Sequence, residues 1–351
     1  MTEPGLGKRV AAGAAWMVLQ RIAVRAIGLV STIVLARLLV PEDFGIIALA
    51  TGLFSALDAL LELGFDMALI QNQSDGRARY NTAWTLSVLR GVIAALILLA
   101  AAYPTAALYE DQRLVMVMAW LAVVAIVNGL QNIGAVEFRK ELQFDREFSL
   151  LVWSKVAGFV VTLTLAWIWR DYRALIAGIV VGKATAVVMS YVMHPYRPSW
   201  SLVGARSFLH FSKWLALNNT VVVIRTRLDT LIVGKIAGTE ALGFYNVGYE
   251  ISNLTTTELI SPISRVLFPS FSKMAGDAQR LARSFIDSLA ALAFLAVPVA
   301  VGIALTAPHL VAIFLGPRWL TIVPLIQILT LAGLLNLASA NSGALYLALV
   351  A

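Results

Sequence analysis

Ser31-Thr32-Ile33-Val34-Leu35-Ala36-Arg37-Leu38 returns 198 positions later as Asp229-Thr230-Leu231-Ile232-Val233-Gly234-Lys235-Ile236. The same offset carries Trp16 onto Trp214, Glu42 onto Glu240 and Gly45 onto Gly243, with no gap needed. Solenoid repeats run to about 20–50 residues, so a period this long is a duplicated lobe instead. Duplicated helical lobes in a membrane are how many transporters are built. The stretch predicts an all-α polytopic membrane protein with two pseudo-symmetric helical lobes. Residues 1–200 form an N-terminal six-helix lobe, and 201–351 hold the first four helices of a C-terminal one.

Composition agrees with that class. Of 351 residues, 60% are hydrophobic and 13% charged, against roughly 45–50% and about 25% in soluble domains. The mean hydropathy is +0.82. An ordinary soluble enzyme is excluded. The net charge of +7 comes with no dense basic run and no interleaved aromatics, so no nucleic-acid partner is expected. Lys and Arg gathered on cytoplasmic loops, beside anionic membrane lipids, explain it. Cysteine is absent, which removes disulfides and thiolate sites. His194, His210 and His309 match no metal-ligand spacing. Neither a metal nor another cofactor is expected.

A span needs roughly 20 mostly apolar residues. That predicts ten helices: 13–38, 44–70, 82–103, 114–134, 148–168, 173–193, 208–234, 244–269, 282–305 and 320–346. Lys8 and Arg9 lead into the first without a cleavage site, so this segment is expected to stay in the mature protein. Alternate loops differ in charge. One set gathers Lys8, Arg9, Arg77, Arg79, Arg139 and Lys140 among others, and the other is poorer in cations. The richer set should face the cytoplasm, which puts the N-terminus inside. Six helices separate the two copies, so both lobes enter the membrane in the same sense. Ala351 corresponds to position 153 of the first lobe. The second lobe thus lacks counterparts of two helices, and the chain is expected to be truncated.

Charges at bilayer depth cost about 2.5–3.5 kcal/mol each on insertion scales, so they should face a bundle interior or a wet cavity. Arg21 and Arg25 sit four apart on one face of helix one. Asp58, Glu62 and Asp66 form an i, i+4, i+8 stripe on helix two, and Arg90 lies on helix three at similar depth. Arg225 and Arg227 stand on helix seven near the level of Glu250 on helix eight. Asp58, Glu62 and Glu250 are read equally as internal pairing partners or as ion-coupling groups. The arginines suit the wall of an anion-holding cavity, because guanidinium groups grip phosphate oxygens in bidentate fashion at any physiological pH. Gly64 and Pro262 occupy equivalent positions and are paired candidate hinges for alternating access. Such residues are also tolerated in membrane helices without a role. Gly178-x-x-x-Gly182 reads as a helix-contact signal.

Leu35-Ala36-Arg37-Leu38-Leu39-Val40-Pro41-Glu42-Asp43-Phe44-Gly45 and Glu62-Leu63-Gly64-Phe65-Asp66-Met67-Ala68-Leu69-Ile70-Gln71 carry a resemblance. They look like the opening of the polysaccharide transporter family, the Wzx-type flippases of lipid-linked oligosaccharides. Phe268-Pro269-Ser270-Phe271-Ser272-Lys273-Met274 is similar to the family's second-lobe signature. The superfamily also holds multidrug and toxin exporters and the lipid II flippase. The resemblance implies two six-helix lobes around a cationic cavity that opens alternately to each side of the bacterial inner membrane. Its cargo is an undecaprenyl-pyrophosphate-linked oligosaccharide feeding exopolysaccharide, capsule or O-antigen assembly. Polysaccharide polymerase and export proteins are further implied partners. Arg21, Arg25, Arg225 and Arg227 stand on the helices whose arginines the family uses for pyrophosphate, and Arg90 joins them as substrate-binding. No catalytic residue is expected, since the cargo's bonds are unchanged. The alternative is a cation-coupled multidrug antiporter of the same superfamily, which would want an acidic, aromatic-lined site. A membrane polymerase or glycosyltransferase would need a large loop or catalytic domain that the chain lacks.

Overall fold

The computed structural model describes residues 6–71, 76–255, 271, 274 and 277–335, and among these all regular structure is helical. The elements are α1 (Leu6–Leu38), α2 (Pro41–Leu60), α3 (Phe65–Gln71), α4 (Arg77–Leu108), α5 (Arg113–Gly129), α6 (Val136–Lys140), α7 (Phe144–Trp169), α8 (Arg173–Met193), α9 (Ala205–Thr255), α10 (Ala278–Leu310) and α11 (Val323–Gly333). Six helices among the described residues are long and apolar enough to cross a membrane. A seventh is added if Arg113–Gly129 and Ile133–Lys140, bent by 66°, count as one span. The chain is a multi-pass membrane protein. Its first six expected spans all have helical counterparts. The span expected at 208–234 falls on α9, a 51-residue element with one non-helical residue, Gly238 (φ 83, ψ 175). It also takes in residues 244–255 of the next expected span, the rest of that span lying outside the described residues. The last expected span runs past residue 335, outside the described residues.

Two expected helices are broken. Helix two was to run unbroken over 44–70, but α2 stops at Leu60 and α3 starts at Phe65. Between them Gly64 takes φ +66, a left-handed conformation that costs other residues roughly 1–2 kcal/mol. The Glu62 carboxylate accepts the Gly64 N–H at 3.1 Å and stabilises the turn. Asp58, Glu62 and Asp66 are therefore not one helical stripe: Asp58 lies on α2, Glu62 in the break and Asp66 in the first turn of α3. Helix four, expected over 114–134, likewise ends at Gly129. Asn132 then accepts the Gly134 N–H at 3.0 Å and starts a short 3-10 turn leading into α6.

Small residues set the helix contacts, as they must where lipid supplies no hydrophobic drive for helices to associate. A Cβ on Gly158 of α7 would lie 2.8 Å from the Gly178 carbonyl oxygen and 3.3 Å from the Gly182 Cα, so the Gly178-x-x-x-Gly182 signal is a helix contact. On α4 and α5, a Cβ on Gly91 would come within 2.6 Å of the Ala125 carbonyl, and one on Gly129 within 2.7 Å of that of Ser87. Trp16 of α1 rests on Phe148 of α7 with ring centroids 5.0 Å apart. Trp153, Trp167 and Ile168 on α7 stay exposed, as lipid-facing positions do.

By compactness the chain divides into Met1–Leu242 and Gly243–Ala351. That boundary reflects packing and falls inside α9, whereas the 200/201 boundary expected above reflects duplication. Within the second unit Phe244 meets Trp319 edge-on at 5.7 Å. There the Ser252 hydroxyl donates to the Gly248 carbonyl at 2.8 Å.

Candidate functional site

The two broken helices open a pocket in the first unit. It lies at the end of the bundle where α4 and α7 begin and α2 and α5 finish. Its volume is about 270 Å3, and its wall draws on α2, α3, α4, α5, α6 and α7. Phe65 and Phe138, both almost fully buried, belong to the apolar part of the lining with Ile133, Val136, Leu150 and Leu151. Four carboxylates, of Asp58, Glu62, Asp66 and Glu147, line it together with two guanidiniums, of Arg90 and Arg139.

Both guanidiniums are engaged. Arg90, only 14% exposed, reaches Asp58 at 3.6 Å through one terminal nitrogen and donates to Glu62 through the other. Arg139 donates to Glu147 at 2.6 Å. The structure thus brings three of the sequence-predicted residues, Asp58, Glu62 and Arg90, into one ion triad. Glu62 makes this contact from the first turn of chain after α2, where its carboxylate also accepts the Gly64 N–H. The wall is completed by Ser87, Asn128, Gln131 and Asn132. Lys183 of α8 donates to the Asn128 side-chain oxygen at 3.4 Å.

Asn132 also holds the chain after α8. Its amide donates to the Tyr196 carbonyl at 2.8 Å and to that of His194 at 3.4 Å, and its backbone N–H donates to the Ser190 hydroxyl at 3.0 Å. His194 is buried, with Nδ1 accepting the Tyr196 N–H at 3.2 Å and Nε2 lying 2.9 Å from Glu137. The first bond leaves Nδ1 unprotonated, so Nε2 carries the proton donated to the carboxylate. Burial pushes the Tyr196 phenol above its usual range, keeping it a neutral donor to Asn81. Thr82 donates to the Val203 carbonyl at 2.9 Å, and Trp84 meets Trp200 at 5.2 Å. Residues 194–203 are thereby strapped to α4 and the α5–α6 bend.

The opposite end of the first unit is closed by bonds to backbone. Asp43 accepts the N–H groups of Val40 and Tyr172, each at 3.2 Å, joining the start of α2 to the start of α8. Pro41 at the first helical turn needs no N–H partner there. Lys235 of α9 donates to the Leu108 carbonyl at 2.6 Å, near the end of α4. The Tyr109 hydroxyl donates to the Leu231 carbonyl at 3.2 Å. A Cβ on Gly234 would lie 3.4 Å from both Leu49 and Tyr109. This face of α9 is the second copy of the repeat, with Lys235 at the position of Arg37.

The other predicted residues lie apart from the pocket. Arg21 and Arg25 are half-buried on α1, whereas Arg225 and Arg227 are exposed on α9. Glu250 is half-buried in the second unit. Gly64 sits at the break with positive φ, and Pro262 lies outside the described residues. Sequence reading missed Asn128, Gln131, Asn132 and Glu147, and took Arg139 for a topology determinant. The available signal was Asn128-Gly129-Leu130-Gln131-Asn132, a polar, glycine-containing run that interrupts an apolar span.

Sequence relatives and solved folds agree with this architecture. Lipopolysaccharide biosynthesis protein WzxC of Escherichia coli (strain K12) is 27% identical over 98% of this chain and 70% of its own length. Teichuronic acid biosynthesis protein TuaB of Bacillus subtilis (strain 168) is 22% identical over 98% and 72%. Succinoglycan biosynthesis transport protein ExoT of Rhizobium meliloti (strain 1021) is 24% identical over 95% and 68%. The fold resembles lipid II flippase MurJ in an inward closed conformation, with TM-score 0.73 and 14% identity over 95% of this chain and 76% of that one. It also resembles an inward-facing multidrug resistance MATE family transporter of the MOP superfamily, with TM-score 0.57 and 14% identity over 92% and 83%. The profile of the family described as polysaccharide biosynthesis protein matches residues 34–324. On that match, which takes in both the α2–α3 break and the pocket it opens, the chain belongs to the polysaccharide biosynthesis protein family.

Proposed function

We propose that this protein is a flippase that moves a polyprenyl-pyrophosphate-linked oligosaccharide across the bacterial inner membrane, with its N-terminus in the cytoplasm. The observation that carries the reading is the family match over residues 34–324 on a transporter fold. The cargo crosses with its bonds intact, so the protein is a transporter and not an enzyme. In this reading Arg21 and Arg25 on α1, with Arg225 and Arg227 on α9, hold the pyrophosphate while the polyprenyl tail stays in lipid. Arg90 pairs with Asp58 and Glu62, and in this reading that triad locks α2 to α4 or couples transport to an ion. Gly64 and Pro262 are the flexing points, and polymerase and export proteins act on the cargo after it crosses.

Deleting the gene in its host should make a lipid-linked saccharide accumulate on the cytoplasmic leaflet and stop polysaccharide export. The wild-type gene should restore export. A double Arg21→Ala, Arg25→Ala variant, present at wild-type abundance, should not. Normal export in the deletion strain would overturn the flippase reading. Normal export with the double variant would remove the anion assignment alone.

A second reading is a cation-coupled multidrug antiporter. One observation favours it: the pocket has more carboxylates than guanidiniums and is partly walled by Phe65 and Phe138. Ethidium efflux by cells expressing the protein, lost in Glu62→Gln, would select this reading. Absence of efflux alongside restored export would discard it.

A further inference from the structure

We infer that the pocket of the first unit is a saccharide subsite, taking a sugar ring of the cargo and not its pyrophosphate. The inference rests on the flippase reading and adds to it where the glycan sits.

Charge excludes the phosphate. Arg90 is matched by Asp58 and Glu62, Arg139 is matched by Glu147, and Asp66 remains on the wall. The lining therefore carries more carboxylates than guanidiniums. A pyrophosphate has only acceptor oxygens at neutral pH and would meet that surplus in a site partly shielded from water, where like charges repel more strongly.

Hydroxyl groups meet the opposite situation. A paired carboxylate keeps spare lone pairs that accept O–H donors, and a carboxamide offers both a donor and an acceptor. Asn128, Gln131 and Ser87 stand on the wall beside those carboxylates. The lining is thus matched to a ligand dense in neutral O–H groups. Size points the same way. Pockets that hold drug-sized ligands run to roughly 300–1,000 Å3, so one of about 270 Å3 suits one small ring better than a whole oligosaccharide.

The location fits as well. The pocket opens at the end where α4 and α7 begin, which the flippase reading places on the cytoplasmic side, where the glycan is loaded. The α2–α3 and α5–α6 breaks shape it. Backbone bent out of helix is tolerated at membrane depth where it lines such a cavity.

The test uses the purified full chain in detergent micelles with two probes. One is undecaprenyl pyrophosphate without sugar. The other is the lipid-linked oligosaccharide extracted from host cells lacking the protein. The wild type should bind the glycosylated lipid about tenfold or more tighter, since a site built to hydrogen-bond hydroxyls discriminates strongly against a ligand lacking them. Asn128→Leu should erase that difference while leaving undecaprenyl pyrophosphate affinity unchanged, which also reports that the variant is folded. If Asn128→Leu loses both ligands, the milder Gln131→Ala decides by the same criterion. Equal wild-type affinity for the two lipids, or a difference that survives Gln131→Ala, overturns the saccharide subsite and leaves the flippase reading standing. Failure of the wild type to bind either lipid overturns both.

Discussion

The two ends of the first unit use the same residue types in opposite ways. Where α2 and α8 begin and α4 ends, polar side chains are spent on backbone. Asp43 accepts two N–H groups, Lys235 and Tyr109 donate to carbonyls, and Asp111 accepts the Arg113 N–H at 3.0 Å. No charge there is asked to face a hollow. At the other end α2 and α5 each stop short and the chain turns aside, so Asp58, Glu62, Arg90, Arg139 and Glu147 pair with one another around a space. Capping closes one end and helix breakage opens the other. Whether a charged residue reads as structural or functional is thus decided by the backbone beside it, not by its identity.

That contrast can be broken most strongly at Arg90. Arg90→Ala leaves Asp58 and Glu62 facing each other with no cation between them. It should destabilise the protein by about 2–3 kcal/mol, read as a lower thermal midpoint in detergent. Adding Asp58→Ala and Glu62→Ala should recover part of the loss; an additive further loss would show that the triad is not a unit. At the capped end, Asp43→Ala removes the acceptor of two N–H groups, that of Tyr172 being buried, and should cost about 2 kcal/mol. Asp43→Asn, which keeps the acceptor oxygen, should cost less, and equal losses would reject the capping role.

Gly64→Ala probes the break itself. A residue with a Cβ at φ +66 should cost about 1–2 kcal/mol and lower export more than it lowers abundance. An export-to-abundance ratio equal to wild type would mean the break need not flex. The smallest effect is expected from Tyr109→Phe, which deletes one hydrogen bond to the Leu231 carbonyl and should cost about 1 kcal/mol. Since the chain has no cysteine, the strap is open to paired-cysteine cross-linking. A Thr82→Cys, Val203→Cys disulfide should leave export intact if residues 194–203 move with α4.

Much of the architecture could be read before any fold was known. The first six spans appeared as apolar runs of sufficient length, and the glycines at 178 and 182 announced a helix contact. The misreadings cluster at the two breaks. Leu61–Gly64 is as apolar as a helix needs to be, and a single glycine does not declare its φ in a sequence. Asn128 to Asn132 looked like the end of a span, because hydropathy averages over polar residues that fold back against a neighbour. The same averaging puts Arg139 in a loop, although it pairs with Glu147, eight residues on in the first turn of α7.

The sequence by itself determined that this chain lives in a membrane, that it spans it in helices, and to which family it belongs. Hydrophobic length and an internal repeat are local or periodic properties, and solvent imposes them residue by residue. Only the tertiary structure decided that Asp58, Glu62 and Arg90 form one triad, that Asn132 straps the chain after α8, and that a pocket lies between them. Those facts depend on helices packed against one another, which bring together partners 28 to 64 residues apart in the chain.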